Sequence, residues 1–326
     1  MSEITGGELL LRSLHAENVR HITAITDGTY MIFLEALERL GEELDMHLVV
    51  PRHEAAGAHI ADAYTRVTGE PAIVMACAGP GAANLLSGVI CAQAENSPVV
   101  AITTMRRTDV SDDYRHTGGT QSPSHLELFK PATKWNGRIG HWRHIPDMVR
   151  HAFRVADSGM PGPVHLVIPE DVLLQTGDPA EAPIWPRERT RVAARSMADP
   201  SAVKKAAAML VEADMANIHA GNGAARAGAG DEILALAELL QAPVTNNVSA
   251  RGIIGEDHDL YYAPVCPAAY MAHAQADVIL AVGSRLGELA MWGRPPLWGD
   301  PAEQPTIQIE RDPANIALNR PVDVAL

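Results

Sequence analysis

The feature that most constrains the fold is a repeated alternation of short apolar segments with segments of helical period. Residues 46–50 form one apolar run, Pro51 interrupts it, and Ala56, Ile60, Ala63 and Val67 then recur at helical spacing. This pattern predicts a buried strand followed by a helix whose face through these four residues packs into the core. Strands that alternate with helices predict right-handed crossovers and parallel sheets, so the expected fold class is α/β.

One carboxylate lies where a predicted strand gives way to a helix. Glu54 falls in the first turn of that helix, at the edge of an open α/β sheet where ligands bind. It is therefore a candidate catalytic residue, although the helix dipole favours a Glu in the first turn whatever its function. A zinc site of the H-E-x-x-H type starting at His53 is excluded, because Gly57 stands where the second histidine would be.

A second strand-to-helix turn reads Gly79-Pro80-Gly81. It follows the apolar run of residues 72–78 and precedes a helical pattern that begins at about Ala82. Glycines on both sides of a proline allow the backbone to approach a flat ligand closely. A purely structural turn could use the same residues.

Together these segments resemble the pyrimidine-binding domain of thiamine diphosphate enzymes, specifically the group that contains acetolactate (acetohydroxyacid) synthase. The resemblance covers nearly the whole chain, and its motifs keep the family's order and spacing. The matching segments are Thr5-Gly6-Gly7-Glu8, Asp27-Gly28, His53-Glu54, Arg66-Val67-Thr68-Gly69, Gly79-Pro80-Gly81-Ala82 with Asn84, and residues 96–102, 131–135 and 159–169.

The resemblance implies a set of cofactor-binding residues. In the family, a carboxyl group hydrogen-bonded to the pyrimidine ring nitrogen helps the cofactor's amino group to take the thiazolium proton. That function falls on Glu54, while Pro80 and Asn84 border the pyrimidine and Asp27 and Gly28 form the first turn of the site. The cofactor supplies the difficult chemistry, and the protein orients it and excludes water.

The chain departs from the family pattern in one loop and one turn. Where many relatives have Phe-Gln-Glu, this sequence has Thr120-Gln121-Ser122, which keeps Gln121 as a cofactor-binding candidate and loses the acid. His116 and His125 flank that loop and are candidates for substrate-facing proton donors or, alternatively, solvated loop histidines. In the first turn, Asp27-Gly28-Thr29 replaces the usual proline followed by two glycines.

Composition narrows the class of protein. A net charge of -14 and a pI near 5.4 argue against binding to nucleic acid or to an anionic membrane surface. Cys77, Cys91 and Cys266 are odd in number and have no C-x-x-C spacing, which is typical of reduced cytoplasmic thiols. The sequence shows neither a signal peptide nor an apolar run of membrane length, so we expect a cytoplasmic protein.

The chain of 326 residues is long enough for two domains. We predict a pyrimidine-binding domain over residues 1–176, a linker rich in proline and charge over 177–198, and a middle domain over 199–326. The middle domain is predicted to have helices at 202–213 and 231–240 and strands at 216–220, 242–245, 277–283 and 306–310. Each domain should be a parallel sheet flanked by helices.

The predicted middle domain carries a candidate nucleotide site. Gly221 and Gly223 follow a strand as in a dinucleotide fingerprint, but Arg226 stands where the third glycine should be. By resemblance, Gly283 and Arg285 lie at another strand end, and some relatives bind FAD or ADP in this domain whereas others bind nothing. Either nucleotide is therefore possible here, and a purely structural use of these turns stays open.

The sequence also lacks the metal-binding motif that the family carries in its third domain. The family's third domain holds the diphosphate through Mg²⁺, using Gly-Asp-Gly followed by Asn-Asn; Asn246-Asn247 has no such segment upstream. We therefore expect a fragment or one subunit of a split enzyme, inactive alone and needing a C-terminal diphosphate-binding domain or subunit. A homodimer or homotetramer is expected, because the family's cofactor lies between subunits.

The expected function is thiamine diphosphate-dependent decarboxylation of a 2-keto acid, with transfer of the product to a second carbonyl. Two alternatives stay open. One is a thiamine-dependent lyase that acts on a 2-hydroxyacyl or ketol substrate, and the other is a non-catalytic nucleotide-binding or assembly module.

Overall fold

The computed structural model describes residues 3–111, 121, 123–191 and 196–326 of the chain. The chain divides into two compact units, residues 1–193 and 194–326, and each contains one six-stranded sheet of parallel strands. Helices flank both sheets, which confirms the predicted fold class. The predicted boundaries at residues 176 and 199 stay a prediction.

The first unit has eight strands and nine α-helices among its described residues. The strands are β1 (Ile4–Thr5), β2 (His21–Ala24), β3 (His47–Val49), β4 (Ala72–Ala76), β5 (Val99–Met105), β6 (Trp135–Arg138), β7 (Val164–Pro169) and β8 (Thr176–Gly177). The helices are α1 (Gly6–Ala16), α2 (Met31–Leu40), α3 (Glu54–Thr68), α4 (Pro80–Ala94), α5 (Thr108–Ser111), α6 (His125–Phe129), α7 (Ile145–Asp157), α8 (Glu170–Leu174) and α9 (Arg187–Thr190).

The main sheet of this unit has the strand order β3-β2-β4-β5-β7-β6, while β1 and β8 form a separate antiparallel pair. One apolar core includes Leu10 of α1, Phe33 of α2 and Phe153 of α7, and a second includes Ala58 of α3 and Leu85 of α4. All five side chains have no exposed surface. The central strands β4, β5 and β7 are buried along their whole length except for Met105, as expected of a parallel sheet covered on both faces.

Two sequence predictions about this unit are wrong. The segment predicted as a buried strand forms β3, whose ends, His47 and Val49, are exposed because the strand lies at the edge of the sheet. The predicted core face of α3 is also wrong, since all four of its residues are exposed: Ala56, Ile60, Ala63 and Val67.

The buried face of α3 consists of small and polar residues, including Gly57, Ala58 and Ala61. A Cβ added to Gly88 of α4 would lie 2.5 Å from the Cβ of Ala58, so the two helices meet at very short range. Close packing of two backbones needs small side chains, and it therefore selects the face with the least apolar area.

The second unit has six strands and four α-helices among its described residues. The strands are β9 (Ala216–Ala220), β10 (Val244–Asn246), β11 (Tyr261–Tyr262), β12 (Val278–Val282), β13 (Thr306–Ile309) and β14 (Val324–Ala325). The helices are α10 (Pro200–Glu212), α11 (Asn222–Ala227), α12 (Gly230–Leu240) and α13 (Pro267–Gln275). The strand order is β11-β10-β9-β12-β13-β14.

Every helix and strand predicted for the second unit has a counterpart within a few residues. The two edge strands, β11 and β14, had no prediction because each has only two residues. Arg320 is 2% exposed and donates hydrogen bonds to the carbonyl oxygens of Gly299 and Gln304, at 3.0 and 2.8 Å. It thereby ties the segment before β13 to the segment that leads to β14.

Over the described parts of the chain, we find no helix that combines the length and the apolar character needed to cross a membrane.

Candidate active site

Glu54 is the first residue of α3 and lies at the carboxyl edge of the first sheet, beyond the end of β3. The helix begins here because the Nδ1 atom of His53 accepts the N–H of Ala55 at 3.1 Å and caps the first turn. The Glu54 side chain is half-buried, and its Oε2 atom accepts a hydrogen bond from Nδ2 of Asn84 at 3.0 Å. The structure thus brings together two residues that the sequence placed in one site.

Pro80 and Asn84 reach this position because α4 begins at Pro80, two residues earlier than predicted. Proline is favoured in the first helical turn, where its missing N–H has no partner to lose. Pro80 is exposed, and Asn84 lies one turn further along the same helix. Gly81 is required between them, because an added Cβ would lie 2.5 Å from Sγ of Cys77 and 3.3 Å from Oε1 of Glu54.

Gly79 precedes α4 with φ +61° and ψ -107°, a conformation that glycine adopts at little cost. Its N–H donates to Nε2 of His125 at 3.1 Å, and its carbonyl accepts the N–H of Ala83 at 3.0 Å. Gln121 lies directly against Gly79, since an added Cβ there would be 2.7 Å from Cβ of Gln121. Gln121 is exposed and lies beside the same turn as Pro80, as the sequence predicted for a common site.

Asp27 and Gly28 occupy the turn after β2. The Oδ1 atom of Asp27 accepts hydrogen bonds from the N–H and the hydroxyl of Thr29, at 2.8 and 2.7 Å, and so caps a short 3-10 helix. Gly28 is exposed and borders a cavity of about 120 Å³ that is also lined by Glu35 and Glu170. No atom lies within 4 Å of a Cβ added at Gly28, so this turn has open space beside it.

Two groups with raised pKa values, the buried Tyr30 phenol and the half-buried Cys77 thiol, lie near both Asp27 and Glu54. Burial raises the pKa of the Cys77 thiol, and the carboxylates of Asp27 and Glu54 raise it further. Burial likewise raises the pKa of the Tyr30 phenol, with smaller contributions from Cys77 and the same two carboxylates. Both groups therefore stay neutral, and Tyr30 donates its O–H to the carbonyl of Ile25. Sequence analysis did not identify Tyr30 or Cys77 as part of this region.

His125 is not a solvated loop histidine, nor is it placed to donate protons to a substrate. It is the first residue of α6, is 3% exposed, and its Nδ1 atom contacts Oγ1 of Thr103 at 2.9 Å. Burial lowers the pKa of His125 to about 4, so the ring is neutral near pH 7. His116, Thr120 and Ser122 lie outside the described residues.

The glycine turns of the second unit pack against each other. The N–H groups of Gly221 and Gly223 donate to the carbonyls of Val282 and Gly283, at 2.8 and 3.0 Å. An added Cβ at Gly221 would lie 2.2 Å from the carbonyl oxygen of Gly283, whose own φ is +57°. These glycines are thus required by the contact between the two turns, and the amides of Gly221 and Gly223 already donate to carbonyl groups of the protein. Arg285 is half-buried just after β12.

A polar cluster lies near the carboxyl ends of β9 and β10. His219 and His273 both contact Oγ1 of Thr245, at 3.2 and 2.9 Å, and His273 stacks on Trp298 with ring centroids 3.8 Å apart. Burial lowers the pKa of His219 to about 4 and that of His273 to about 3. The cavity beside this cluster measures about 10 Å³, which is the size of one water molecule.

The two units match two families of sequences. The family described as "Thiamine pyrophosphate enzyme, N-terminal TPP binding domain" matches residues 4–128, and that described as "Thiamine pyrophosphate enzyme, central domain" matches residues 203–326. The chain therefore belongs to the thiamine pyrophosphate (thiamine diphosphate) enzymes and carries these two domains, as its sequence motifs predicted.

Among its relatives, the chain is 33% identical to a probable acetolactate synthase large subunit of Methanocaldococcus jannaschii, over 98% of this chain and 53% of that protein. It is 30% identical to an acetolactate synthase of Arthrospira platensis, over 100% of this chain and 56% of that protein. A Mycobacterium tuberculosis acetolactate synthase large subunit is also 30% identical, over 100% of this chain and 52% of that protein. The chain thus spans about half the length of the curated relatives it matches.

Proposed function

We propose that this chain supplies the pyrimidine-binding part of an enzyme that decarboxylates a 2-keto acid and joins the product to a second carbonyl, as in acetolactate synthases. The observation that supports this proposal most directly is the hydrogen bond between Glu54 and Asn84, formed at the carboxyl edge of the sheet beside the Gly79-Pro80-Gly81 turn. The names of the relatives support the same reaction class.

The residues present fit the pyrimidine half of thiamine diphosphate. Gly81 leaves room beside Oε1 of Glu54 that a larger side chain would fill, and the neighbouring Pro80 is exposed. When bound, the cofactor supplies a nucleophilic carbon for attack on the keto group. Glu54 would share its carboxyl proton with a ring nitrogen, and Asn84, whose Nδ2 atom donates to Oε2, would hold the Glu54 carboxyl group in place. The buried Tyr30 and the half-buried Cys77, both neutral, would help to exclude water from this side.

The diphosphate and Mg²⁺ require other ligands. The described ranges contain no group of three or more His, Cys, Asp or Glu residues arranged to hold a metal ion. We propose that a C-terminal diphosphate-binding domain, on the same polypeptide or another, supplies these ligands, and that the chain alone is inactive. We further propose a homodimer or homotetramer, which is supported by the exposed stripe of Ile60 and Val67 on α3, 41% and 87% exposed.

FAD or ADP is a separate proposal for the second unit. Its support is the half-buried Arg285 near the carboxyl ends of β9 and β12, where nucleotides bind in open sheets. Because the amides of Gly221 and Gly223 already have carbonyl partners, we expect Arg285, and not these amides, to contact the phosphates.

A cytoplasmic location is also proposed, supported by the three free cysteines, of which Cys91 is exposed.

Calorimetry with thiamine diphosphate and Mg²⁺ tests the assignment of the missing ligands. The purified chain should bind the cofactor weakly and show no turnover, whereas a complete assembly with a diphosphate-binding domain should bind it tightly and convert two 2-keto acids into a 2-hydroxy-3-keto acid and CO₂. Formation of an aldehyde with no joined product would favour the lyase alternative. Tight binding by the chain alone would contradict the proposal that other residues hold the diphosphate.

The nucleotide proposal has its own test. The protein is denatured, and the supernatant is examined for flavin absorbance and for adenine nucleotides by chromatography. Stabilisation by added FAD or ADP should be lost in Arg285→Ala and retained in the control Arg251→Ala, which removes an exposed arginine that pairs with Glu256 at 2.7 Å. Finding no nucleotide and no stabilisation would leave this unit without a ligand.

A further inference from the structure

A chain of hydrogen bonds runs from the candidate active site into the core of the first unit. It begins at the N–H of Gly79, passes through His125 and Thr103, and ends at His165, with successive distances of 3.1, 2.9 and 2.7 Å. Thr103 belongs to β5 and His165 to the neighbouring β7. The end of this series of hydrogen bonds that lies farthest from Gly79 is therefore held by two central strands. We define these three side chains, His125, Thr103 and His165, as the histidine relay.

The chemistry of the donors fixes the direction of the first two bonds in the histidine relay. A backbone N–H can only donate, so Nε2 of His125 accepts from Gly79 and carries no proton. The proton of the neutral ring is then on Nδ1, which donates to Oγ1 of Thr103. The Thr103 hydroxyl still has one hydrogen to give, and Nε2 of His165, 2.7 Å away, is within reach of it.

The surroundings keep this arrangement rigid. Thr103 and His165 have no exposed surface, and the His165 ring stacks on Phe129 with centroids 3.9 Å apart and planes 8° apart. His125 is neutral near pH 7, since burial lowers its pKa. A protonated ring would present an N–H to the Gly79 N–H and break the first bond. Burial therefore maintains the one state of His125 that can accept from Gly79.

We propose that His125 is a positioning residue for the cofactor site, and that it acts by holding Gly79 through the tautomer that Thr103 selects. Gly79 directly precedes Pro80, and the helix that starts there carries Asn84, the hydrogen-bond partner of Glu54. A displaced Gly79 would shift Pro80 and Asn84 relative to Glu54. This inference rests on the proposed function of that turn; it brings in Thr103 and His165, which neither the sequence motifs nor the relatives' names indicate, and gives His125 a different function from the one predicted.

The decisive variant is Thr103→Val, which keeps the shape of the side chain and removes its hydroxyl. The Nδ1 proton of His125 then loses its acceptor, so the other tautomer, protonated on Nε2, becomes competitive and can no longer accept from Gly79. The matched control is Thr103→Ser, which retains the hydroxyl. His125→Gln is a second variant, because its amide oxygen can replace Nε2 as the acceptor, whereas His125→Leu offers none.

The first measurement is NMR of the chain labelled with carbonyl-¹³C alanine and ¹⁵N glycine, which selects glycines that follow an alanine, Gly79 among them. We expect Thr103→Val and His125→Leu to shift the Gly79 amide and speed its exchange with solvent, and Thr103→Ser and His125→Gln to retain both properties. An unchanged Gly79 amide in Thr103→Val and His125→Leu would overturn the proposal, whatever reaction the protein catalyses.

The second measurement is kinetics of the complete enzyme with saturating thiamine diphosphate and Mg²⁺. Misplacement of a reacting group by about 1 Å can cost up to about 10²-fold in rate, so we expect kcat in Thr103→Val to fall by at least about 10-fold with KM for the keto acid unchanged. Thr103→Ser should stay near wild type. A shifted Gly79 amide with an unchanged kcat would show that the relay is only structural and would overturn the positioning function.

These two measurements separate the failure of this inference from the failure of the proposed function. If the proposed function is wrong, the complete wild-type protein lacks the reaction. If only the inference is wrong, the wild type is active, and Thr103→Val either keeps the Gly79 amide or keeps kcat.

Discussion

Glu54 and Asn84 are 30 residues apart in the sequence, and their side chains meet at 3.0 Å because two consecutive strand-to-helix turns lie at the same edge of one sheet. At this scale the site consists of a carboxylate, its amide donor and glycines that leave space around them. The neighbouring Cys77 thiol is half-buried, and burial raises its pKa, so it stays neutral. Glu54 is the residue of this site to which we assign proton transfer with the cofactor.

Glu54→Gln should abolish activation of the cofactor and leave the fold intact. Glutamine keeps the shape and a hydrogen bond with Asn84 but cannot take part in proton transfer, and loss of such a group costs about 10²–10⁴ in rate. The measurement is deuterium exchange at the thiazolium carbon in the complete assembly, with the exposed Glu42→Gln as control. Exchange at the wild-type rate in Glu54→Gln would show that the assigned function of Glu54 is wrong.

Gly81→Ala should destabilise the first unit, because the new methyl group would lie 2.5 Å from Sγ of Cys77. Overpacking of this kind typically costs about 1–3 kcal/mol in the free energy of unfolding. Adding Cys77→Ala removes the clashing sulfur, so the double variant should recover much of the loss in urea-unfolding measurements. Purely additive effects of the two substitutions would contradict this contact.

At the scale of secondary structure elements, the contact between α3 and α4 brings Glu54 and Asn84 together. Its closest approach lies between Ala58 and the Ala55 carbonyl on one side and Gly88 on the other, with little apolar area but a very short separation. The helical pattern in the sequence pointed to the opposite, more apolar face of α3. That face is exposed, which fits the proposal that another protein surface covers it.

Gly88→Ala should lower stability, although alanine favours a helix over glycine by about 1 kcal/mol. The added Cβ would lie 2.5 Å from Cβ of Ala58 and 3.1 Å from the carbonyl oxygen of Ala55, so we expect a net loss of roughly 1–3 kcal/mol. Ala58→Gly in the same chain removes the closer contact and should restore part of this loss. Ser87→Ala, at the exposed neighbour, is the control, and equal stability of both alanine variants would disprove tight packing here.

At the scale of the whole molecule, both units bury neutral histidines beside a threonine. His125 and His165 share Thr103 in the first unit, and His219 and His273 share Thr245 in the second. Burial lowers the pKa of all four, to about 4 for His125 and His219. The two units therefore have a common source of sensitivity to acid.

The stability of the chain should fall as the pH drops from about 6.5 to about 4. In that range the unfolded state binds protons at these histidines and the folded state does not, so unfolding takes up protons and becomes more favourable. The contribution of His125 and His219 to the free energy of unfolding is fully present above 6.5, the pKa of histidine in the unfolded state. It is lost as the pH falls toward about 4, the pKa of these two histidines in the folded state. A lowering to about 4 corresponds to roughly 3 kcal/mol at most for each of His125 and His219.

The measurement is urea unfolding at pH 7 and pH 5, followed by circular dichroism. His125→Gln removes one buried titrating group and should reduce the pH dependence, whereas the control His59→Gln, at an exposed histidine, should not. A free energy of unfolding that does not change between the two pH values would contradict neutral burial of these rings.

The sequence by itself determined the alternation of strands and helices, the parallel sheets, and the position of Glu54 at a strand-to-helix junction. These features are local, because apolar period, proline and glycine act over a few residues. The family motifs placed Pro80 and Asn84 near Glu54, and the structure shows the Asn84 contact. The strands β1, β8, β11 and β14, with two residues each, were too short to leave a recognisable period.

The tertiary structure alone decided which face of α3 is buried and which partners the polar groups find. The short distance between Ala58 and Gly88 depends on how two helices pack, and no period within one helix encodes it. His165 was detectable only as a single polar residue in an otherwise apolar strand, and its partners, Thr103 and His125, come from other segments. A buried polar group is stable only with a partner, and strand order, not the local sequence, determines which partner is within reach.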